Sequence, residues 1–253
     1  MSPLPDIAHW WAIEAMIASY NHVYKVVYGT TYETLDAVAV SNYGSAPIAS
    51  FQLEFLALDD DPARVHAAVQ DYKTDGEKYV LDVFHESPAA LRMKAQYSDL
   101  GYAFVRTGPI LGIELPVQAR GDISFVKRIE MKEQLEVANQ SLSREGETIP
   151  AETLGDPYIR NYYAEADGQA VGWAQLVTIY PGAGYVNQLF TLSGYRNRRI
   201  GSALIERLHT ECDQLGLGHV VLVSSEMAMG LYRRLGYRLL AFFTAFRPRE
   251  AGG

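Results

Sequence analysis

A six-residue pattern that occurs twice limits the architecture of this chain more than any other feature. Tyr97-Ser98-Asp99-Leu100-Gly101-Tyr102 and Tyr232-Arg233-Arg234-Leu235-Gly236-Tyr237 both read Y-x-x-L-G-Y, 135 positions apart. The surroundings repeat as well. A short run rich in β-branched and aromatic residues precedes each copy, Tyr79–Phe84 and Val220–Val223, and reads as a buried strand. A helical stretch precedes each strand. The first, Pro62–Lys73, starts with Asp59-Asp60-Asp61 as caps and Pro62 at its first position, with Val65, Val69 and Tyr72 at helical spacing. The second, Gly201–Leu215, carries Leu204, Leu208, Cys212 and Leu215 on one face and ends at Gly216 or Gly218. Each copy leads into an apolar strand, Ala103–Val105 or Leu239–Phe243. This shared order predicts a duplicated unit; the alternative is that Leu-Gly-Tyr merely recurs where a helix ends before a strand. The boundary falls near 117–121, where Pro116 and Gly121 punctuate the pattern, giving domains 1–120 and 121–253.

The 253 residues are 48% hydrophobic and 21% charged, enough to bury a core throughout, so wholesale disorder is excluded. No apolar run approaches the roughly 18 residues of a membrane span, and the N-terminus lacks the pattern of a secretory leader. The single cysteine, Cys212, excludes a disulfide framework and a cysteine zinc site, and no metal is expected. A soluble, cytoplasmic protein is expected, so the sequon at Asn139 is read as idle. The net charge of −8 is uneven. Up to Gly121 there are 8 basic and 15 acidic residues, against 14 and 15 in the remainder. An acidic whole argues against nucleic-acid binding, which rests on neutralising phosphates. A local knot of arginines suggests one small anionic ligand instead.

The second half reads as strand 123–129, helix 131–141, and a hairpin of Arg160–Glu165 with Val171–Tyr180 turned at Asp167-Gly168. Strand 185–191, loop 192–199, helix 200–215, strand 219–224, helix 226–235 and a last strand from Tyr237 follow. A hairpin, a parallel crossover and flanking helices make an α/β (α+β) single-sheet domain. The segment Gly194–Ala203 is its candidate anion site. A helix start offers unpaired N–H groups and about half a positive charge. Gly201 lets an anion approach closely, and Arg196, Arg198 and Arg199 add forked donors suited to phosphate. The alternative is a solvated arginine loop. Walker-type and Rossmann-type glycine loops are absent.

From Leu189 to Tyr237 the sequence resembles the GNAT superfamily of N-acetyltransferases, which bind acetyl-CoA. The resemblance rests on Tyr195-Arg196-Asn197-Arg198-Arg199-Ile200-Gly201-Ser202-Ala203-Leu204 and then Leu231-Tyr232-Arg233-Arg234-Leu235-Gly236-Tyr237. It extends more weakly over Ile123–Phe246. Laying the family's Q/R-x-x-G-x-G/A from Arg196 puts Arg199 at the first glycine; laying it from Arg198 fits Gly201 and Ala203. The Arg196 register is preferred because it keeps the flanking residues in place. The family's asparagine, seven residues before the motif tyrosine, is Ser225 here.

The resemblance implies two GNAT-like domains, each a mixed, mostly antiparallel sheet flanked by helices, with acetyl-CoA as co-substrate of the second. Pantetheine would pair with the backbone around Leu189, Phe190 and Thr191. The pyrophosphate would sit on Arg196, Asn197, Arg198, Arg199, Ile200, Gly201, Ser202 and Ala203, with Ser225 and Tyr232 beside the pantetheine arm. An amine would attack the thioester directly, strand N–H groups near Phe190 would polarise the carbonyl, and Tyr232 would be the general acid. A thiol pKa near 8.5 against about 10 for a phenol makes full proton transfer uphill. No base is evident. Val186-Asn187-Gln188-Leu189 offers only carboxamides, leaving Glu165, Glu226, a water relay or a substrate amine already deprotonated, while His209 and His219 read as structural.

In the first half Leu58–Arg64 puts three carboxylates and no glycine where the cradle would be, so CoA binding is not expected there and Tyr97 is a relic or a packing residue, not a catalyst. The aromatic stretch from His9 to Tyr24 is expected to pack on its own sheet or to wall the acceptor pocket. An acidic first half favours a cationic acceptor amine. A non-catalytic acyl-CoA-binding module is the alternative function, and oligomeric state is open, a homodimer included.

Overall fold

The computed structural model describes residues 7–44, 51–87 and 89–249. Met1–Asp6, part of the segment judged above for a leader, lie outside that range. The elements in chain order are α1 (Trp10–Tyr28), β1 (Thr31–Thr34), β2 (Val38–Asn42), β3 (Leu53–Ala57), α2 (Pro62–Tyr72), β4 (Tyr79–His85), α3 (Leu91–Asp99), β5 (Tyr102–Glu114), β6 (Val126–Ile129), α4 (Lys132–Leu142), β7 (Ile159–Ala166), β8 (Gln169–Val177), β9 (Ala183–Thr191), α5 (Ile200–Gln214), β10 (His219–Val223), α6 (Met229–Leu235) and β11 (Arg238–Pro248). This is a mixed α/β fold with largely antiparallel strands flanked by helices. No helix among the described residues is long and apolar enough to cross a membrane.

The chain forms two compact units that interleave in sequence. One takes the chain up to Ile13, Tyr28–Ile110 and the chain from Leu239; the other takes Glu14–Val27 and Leu111–Arg238. A single cut at 120 therefore does not describe the division. β5 begins in the first unit and ends in the second, and most of β11 belongs to the first. The physical reason is that a sheet edge offers the same backbone donors and acceptors to any strand. Local sequence does not state which sheet a connecting strand completes.

In the first unit the strand order is β1-β2-β3-β4-β11-β5. β2 and β3 are antiparallel, β3 and β4 are parallel with α2 between them, and β11 runs antiparallel to β4. Its α2 starts as the sequence predicts, with the Asp61 carboxylate accepting from Ala63 N at 2.9 Å and Pro62 as the first residue. Val65 and Val69 pack with Val38, Phe55, Leu81, Tyr97 and Phe246.

In the second unit the order is β5-β10-β9-β8-β7-β6. β7/β8 and β8/β9 are antiparallel, and β9/β10 are parallel with α5 between them. The hairpin turn is where Asp167-Gly168 predicts, both residues having positive φ (52° and 72°), as a type I′ turn requires. Alternation along β8 sorts the two faces. Ala174 and Leu176 pack with Leu204, Leu208 and Cys212 of α5, whereas Trp173 packs with Leu135, Ala138 and Leu142 of α4. Leu215, expected on the buried face of α5, is 42% exposed at the helix end. Two glycines seat α5. A Cβ on Gly172 would meet Phe190 O at 2.7 Å and Ile200 Cγ2 at 3.0 Å, and one on Gly184 would meet Cys212 Sγ at 2.5 Å.

Two expectations change here. Strand 123–129 begins only at Val126, after a turn closed by Val126 N to Ile123 O. Residues 14–27 of α1 belong to the second unit rather than to a first-half sheet. Tyr180 OH donates to Glu14 Oε2 at 2.9 Å, and His22 Nε2 lies 3.0 Å from Asp156. The Asn139 carboxamide is engaged by the backbone of Ile149 through both of its polar atoms, so the sequon side chain holds a loop.

Candidate active site

Between β9 and α5 the chain makes a 3-10 turn, Ser193–Tyr195, and then two left-handed residues, Asn197 (φ 62°) and Arg199 (φ 63°). The turn is held at both ends. Glu145 accepts from Ser193 N and Oγ at 2.9 and 2.8 Å, and Tyr195 OH donates to Asp167 at 2.9 Å while accepting from Gln169. Arg199 stands in the left-handed conformation at the position where the preferred register expects glycine, which is the physical reason for a glycine there. Beyond it the first intrahelical bond is Ala203 N to Arg199 O at 2.9 Å. The N–H groups of Ile200, Gly201 and Ser202 therefore have no carbonyl one turn behind them and stand ready for an anion.

The three arginines do not act alike. Arg196 and Arg198 are exposed; Arg196 Nε reaches Thr191 O at 3.3 Å, and the Arg198 guanidinium lies 5.2 Å from the centre of the Tyr195 ring. Arg199 instead turns back along the helix, donating to Glu206 Oε1 at 3.2 Å and to Arg120 O at 3.3 Å. Glu206 is only 3% exposed, so its charge claims the guanidinium. The Arg199 guanidinium is therefore engaged away from the loop, which leaves Arg196 and Arg198 as the exposed side chains beside these amides.

Beside this cradle the sheet opens. Parallel pairing of β9 with β10 ends at Val186↔Leu222, whereas pairing of β9 with β8 continues to Thr191↔Gly172. The change comes at a bulge: Gln175 pairs with Gln188, Leu176 with Val186, and Asn187 is the extra residue. The half-buried residues Leu189, Phe190 and Thr191 thus keep one backbone edge free of β10, as a strand-like guest requires. Space at Gly201 joins the parts. An added Cβ there would lie 3.5 Å from Leu231, 3.8 Å from Thr191 Oγ1 and 3.9 Å from Leu189, so β9, α5 and α6 converge on those amides.

Ser225 caps the 3-10 turn Glu226–Ala228, its Oγ accepting from Ala228 N at 3.3 Å. Tyr232 on α6 is 4% exposed with its ring edge-on to Tyr237 at 5.4 Å. Burial pushes its phenol up to about 12. His209 bonds the Tyr237 hydroxyl at 2.8 Å and is pushed down to about 4 by burial, a neutral core residue as expected.

Of the two candidate base carboxylates, Glu165 stands away from the bulge. Glu165 bonds Lys127 at 2.7 Å and pairs with Ala170. From Ala170 to the bulge-facing Gln175 is five residues of strand, about 16 Å. Glu226 is exposed. What sequence reading missed is a polar row under the bulge, Asn187, Gln175, Asn161 and Thr153, linked by hydrogen bonds of 2.7 to 2.9 Å. Its signal was present: Gln175 is the one polar residue in the run Ala170–Val177.

In the first unit the corresponding helix start is closed. Asp59 accepts from Asp61 N and from Arg64, and Asp61 caps the helix. Tyr97 is 1% exposed, stacked on Phe246 at 5.0 Å. Among the described residues no cluster of His, Cys, Asp or Glu is arranged to hold a metal.

Residues 124–237 match the acetyltransferase (GNAT) family. The matched segment, just under half the chain, contains β6 to α6, including the cradle, the bulge and Tyr232. Among solved structures, the chain is similar to a GCN5-related N-acetyltransferase from Kribbella flavida, with a TM-score of 0.69 at 18% identity over 94% of this chain and 96% of that one. A functionally unknown conserved protein from Staphylococcus epidermidis gives a TM-score of 0.60 at 12% identity, with 89% and 96% covered. A GCN5-related N-acetyltransferase from Sphaerobacter thermophilus gives 0.51 at 17%, with 85% and 82% covered. At these identities the likeness carries the fold, and it extends beyond the matched segment to nearly the whole chain. No curated protein matches the sequence.

Proposed function

We propose that the protein is an N-acetyltransferase of the GNAT type that transfers an acetyl group from acetyl-CoA to a primary amine of a small molecule. One juxtaposition carries this reading: the unpaired N–H groups of Ile200, Gly201 and Ser202 adjoin the free edge of β9 at Leu189–Thr191, with Gly201 leaving room between them. The amides, with Arg196 and Arg198, suit a pyrophosphate, and the free strand edge suits a pantetheine arm.

The amine nitrogen attacks the thioester carbonyl carbon, the N–C bond forms, and the C–S bond breaks as the tetrahedral intermediate collapses. Free N–H groups of β9 beyond the bulge polarise the carbonyl oxygen. Tyr232, with a phenol pKa pushed up to about 12, stays protonated and donates a hydrogen bond to the departing sulfur. Against a thiol near 8.5 the mismatch of about 3.5 units, near 5 kcal/mol, rules out complete transfer before the C–S bond breaks. The hydrogen bond itself, to a developing charge, is worth about 1.5–3 kcal/mol. Tyr232→Phe should therefore lower kcat by about 10- to 150-fold, with acetyl-CoA affinity little changed.

The shared antiparallel-then-parallel strand pattern, β2-β3-β4 and β8-β9-β10, supports a tandem origin in which the first copy lost its cradle. Asp59, Asp60 and Asp61 at the start of α2 oppose a pyrophosphate there, and the acidic first part of the sequence favours a cationic amine as acceptor. The test is calorimetry with acetyl-CoA and a thiol-release screen across amines. Binding with release supports the enzyme. Binding without release from any amine supports the acyl-CoA-binding module that a β9 without a carboxylate would suit. No binding removes both.

A further inference from the structure

We propose that Asn187 is the residue that receives the acceptor amine, through a carboxamide oxygen whose orientation is dictated from Pro150. The inference rests on the acetyltransferase reading above and deepens it. Asn187 is the extra residue of the bulge, where β9 parts from β10. Its Nδ2 lies 2.7 Å from Gln175 Oε1; Gln175 Nε2 lies 2.9 Å from Asn161 Oδ1; Asn161 Nδ2 lies 2.8 Å from Thr153 Oγ1; and Thr153 Oγ1 lies 2.6 Å from Pro150 O.

The last link sets the direction of all the others. A carbonyl oxygen only accepts, so the Thr153 hydroxyl must donate to Pro150. Thr153 Oγ1 is then left to accept, which obliges Asn161 to present its amide nitrogen and turn its oxygen to Gln175. Gln175 must in turn present nitrogen to Asn161 and oxygen to Asn187. Asn187 is thereby compelled to spend its nitrogen on Gln175, and its Oδ1 is the acceptor left over. No protein donor to that oxygen is found among the described residues. Flipping any one carboxamide would set oxygen against oxygen or nitrogen against nitrogen at residues that are 1% (Gln175), 3% (Asn161) and 1% (Thr153) exposed, where an unpaired polar group is costly. The strand register makes the row rigid. Asn161 pairs directly with Gln175, and Gln175 with Gln188 beside the bulge.

A neutral acceptor oxygen at the opening has a chemical consequence. It takes an N–H of the attacking amine and orients the nitrogen lone pair, but it cannot take the proton. The amine therefore reacts as its free base. After the N–C bond forms and the C–S bond breaks, the proton lost from nitrogen passes to water, and the thiolate is received by the Tyr232 hydrogen bond. Asn187 receives primary and secondary amines, and only the fraction uncharged at nitrogen reacts, whatever charge the molecule carries elsewhere.

The test uses the full chain. Asn187→Leu should lower kcat/KM for the amine at least 30-fold with acetyl-CoA affinity by calorimetry within twofold of the parent. Thr153→Val, three links away, removes the hydroxyl that anchors the direction and should lower kcat/KM for the amine about tenfold or more, while Thr153→Ser restores it. In the unmodified protein, the rising limb of kcat/KM against pH should move with the pKa of the amine across a series of amines. The proposal is overturned if folded Thr153→Val behaves as Thr153→Ser, or if Asn187→Leu keeps its amine kinetics. It is equally overturned if the rising limb stays at one pH for every amine, an outcome that needs no variant to fold. Absence of acetyl-CoA binding or of any turnover instead removes the acetyltransferase reading, and this one with it.

Discussion

Arg199 combines a left-handed backbone (φ 63°, ψ 4°) with an ion pair to a buried carboxylate, and two replacements separate these effects. Arg199→Ala and Arg199→Gly both delete the guanidinium. Glu206, 3% exposed, is then left without its partner, at a cost of about 1–3 kcal/mol. The lower half of that range applies, because the Arg199 side chain is 55% exposed and the pair is partly screened by water. Only glycine also relieves the left-handed strain, worth about 1 kcal/mol. Arg199→Ala is therefore expected to lose about 1–2 kcal/mol and Arg199→Gly about 1 kcal/mol less. Adding Glu206→Gln to either should recover most of the pairing loss. Denaturant titration reads these differences directly, and each 1 kcal/mol corresponds to roughly 2–4 °C in Tm for a unit of this size. Equal destabilisation by alanine and glycine refutes the strain argument; no recovery with Glu206→Gln refutes the pairing argument. Acetyl-CoA affinity of Arg199→Gly should stay within a few-fold, since the side chain faces Glu206 and only its backbone faces the cradle.

Three further outcomes follow from burial and space. His209 titrates at about 4 when folded, against about 6.5 unfolded, so the unfolded chain binds the extra proton between those values. Stability falls as pH drops through that window, by about 3 kcal/mol in total, and His209→Gln should flatten that limb in pH-dependent unfolding. In the first unit, burial raises the carboxyls of both Glu54 and Asp82, so the fold holds protons that the unfolded chain releases above about pH 4. The stability this contributes is complete at low pH and lost as pH rises, so Glu54→Gln should raise Tm at pH 8 and give no gain at pH 4. Finally, a Cβ at Gly201 meets nothing closer than 3.5 Å, so Gly201→Ala should stabilise α5 by about 1 kcal/mol and keep acetyl-CoA binding. Gly201→Leu would fill the space shared with Leu231, Thr191 and Leu189, and calorimetry should then show binding abolished; unchanged affinity would refute the cradle.

What the sequence determined by itself was local. The period of apolar residues set α2, α5 and the strands around them, Asp61-Pro62 set a helix start, and Asp167-Gly168 set a hairpin turn, because each depends on neighbours a few positions away. The cradle was legible for the same reason: strand, loop, Gly201 and helix are contiguous in the chain. Tertiary structure decided everything that depends on pairing between distant segments. It assigned β11 to the first unit and residues 14–27 to the second, since a strand edge or helix face accepts any complementary partner. It turned the Arg199 side chain to Glu206, seven residues on, because a buried charge attracts the nearest flexible counter-ion. It also aligned Asn187, Gln175, Asn161 and Thr153, residues scattered over 35 positions, into one directed row. No spacing rule in the sequence announces such a row, because its order is set by strand register and by a single carbonyl that can only accept.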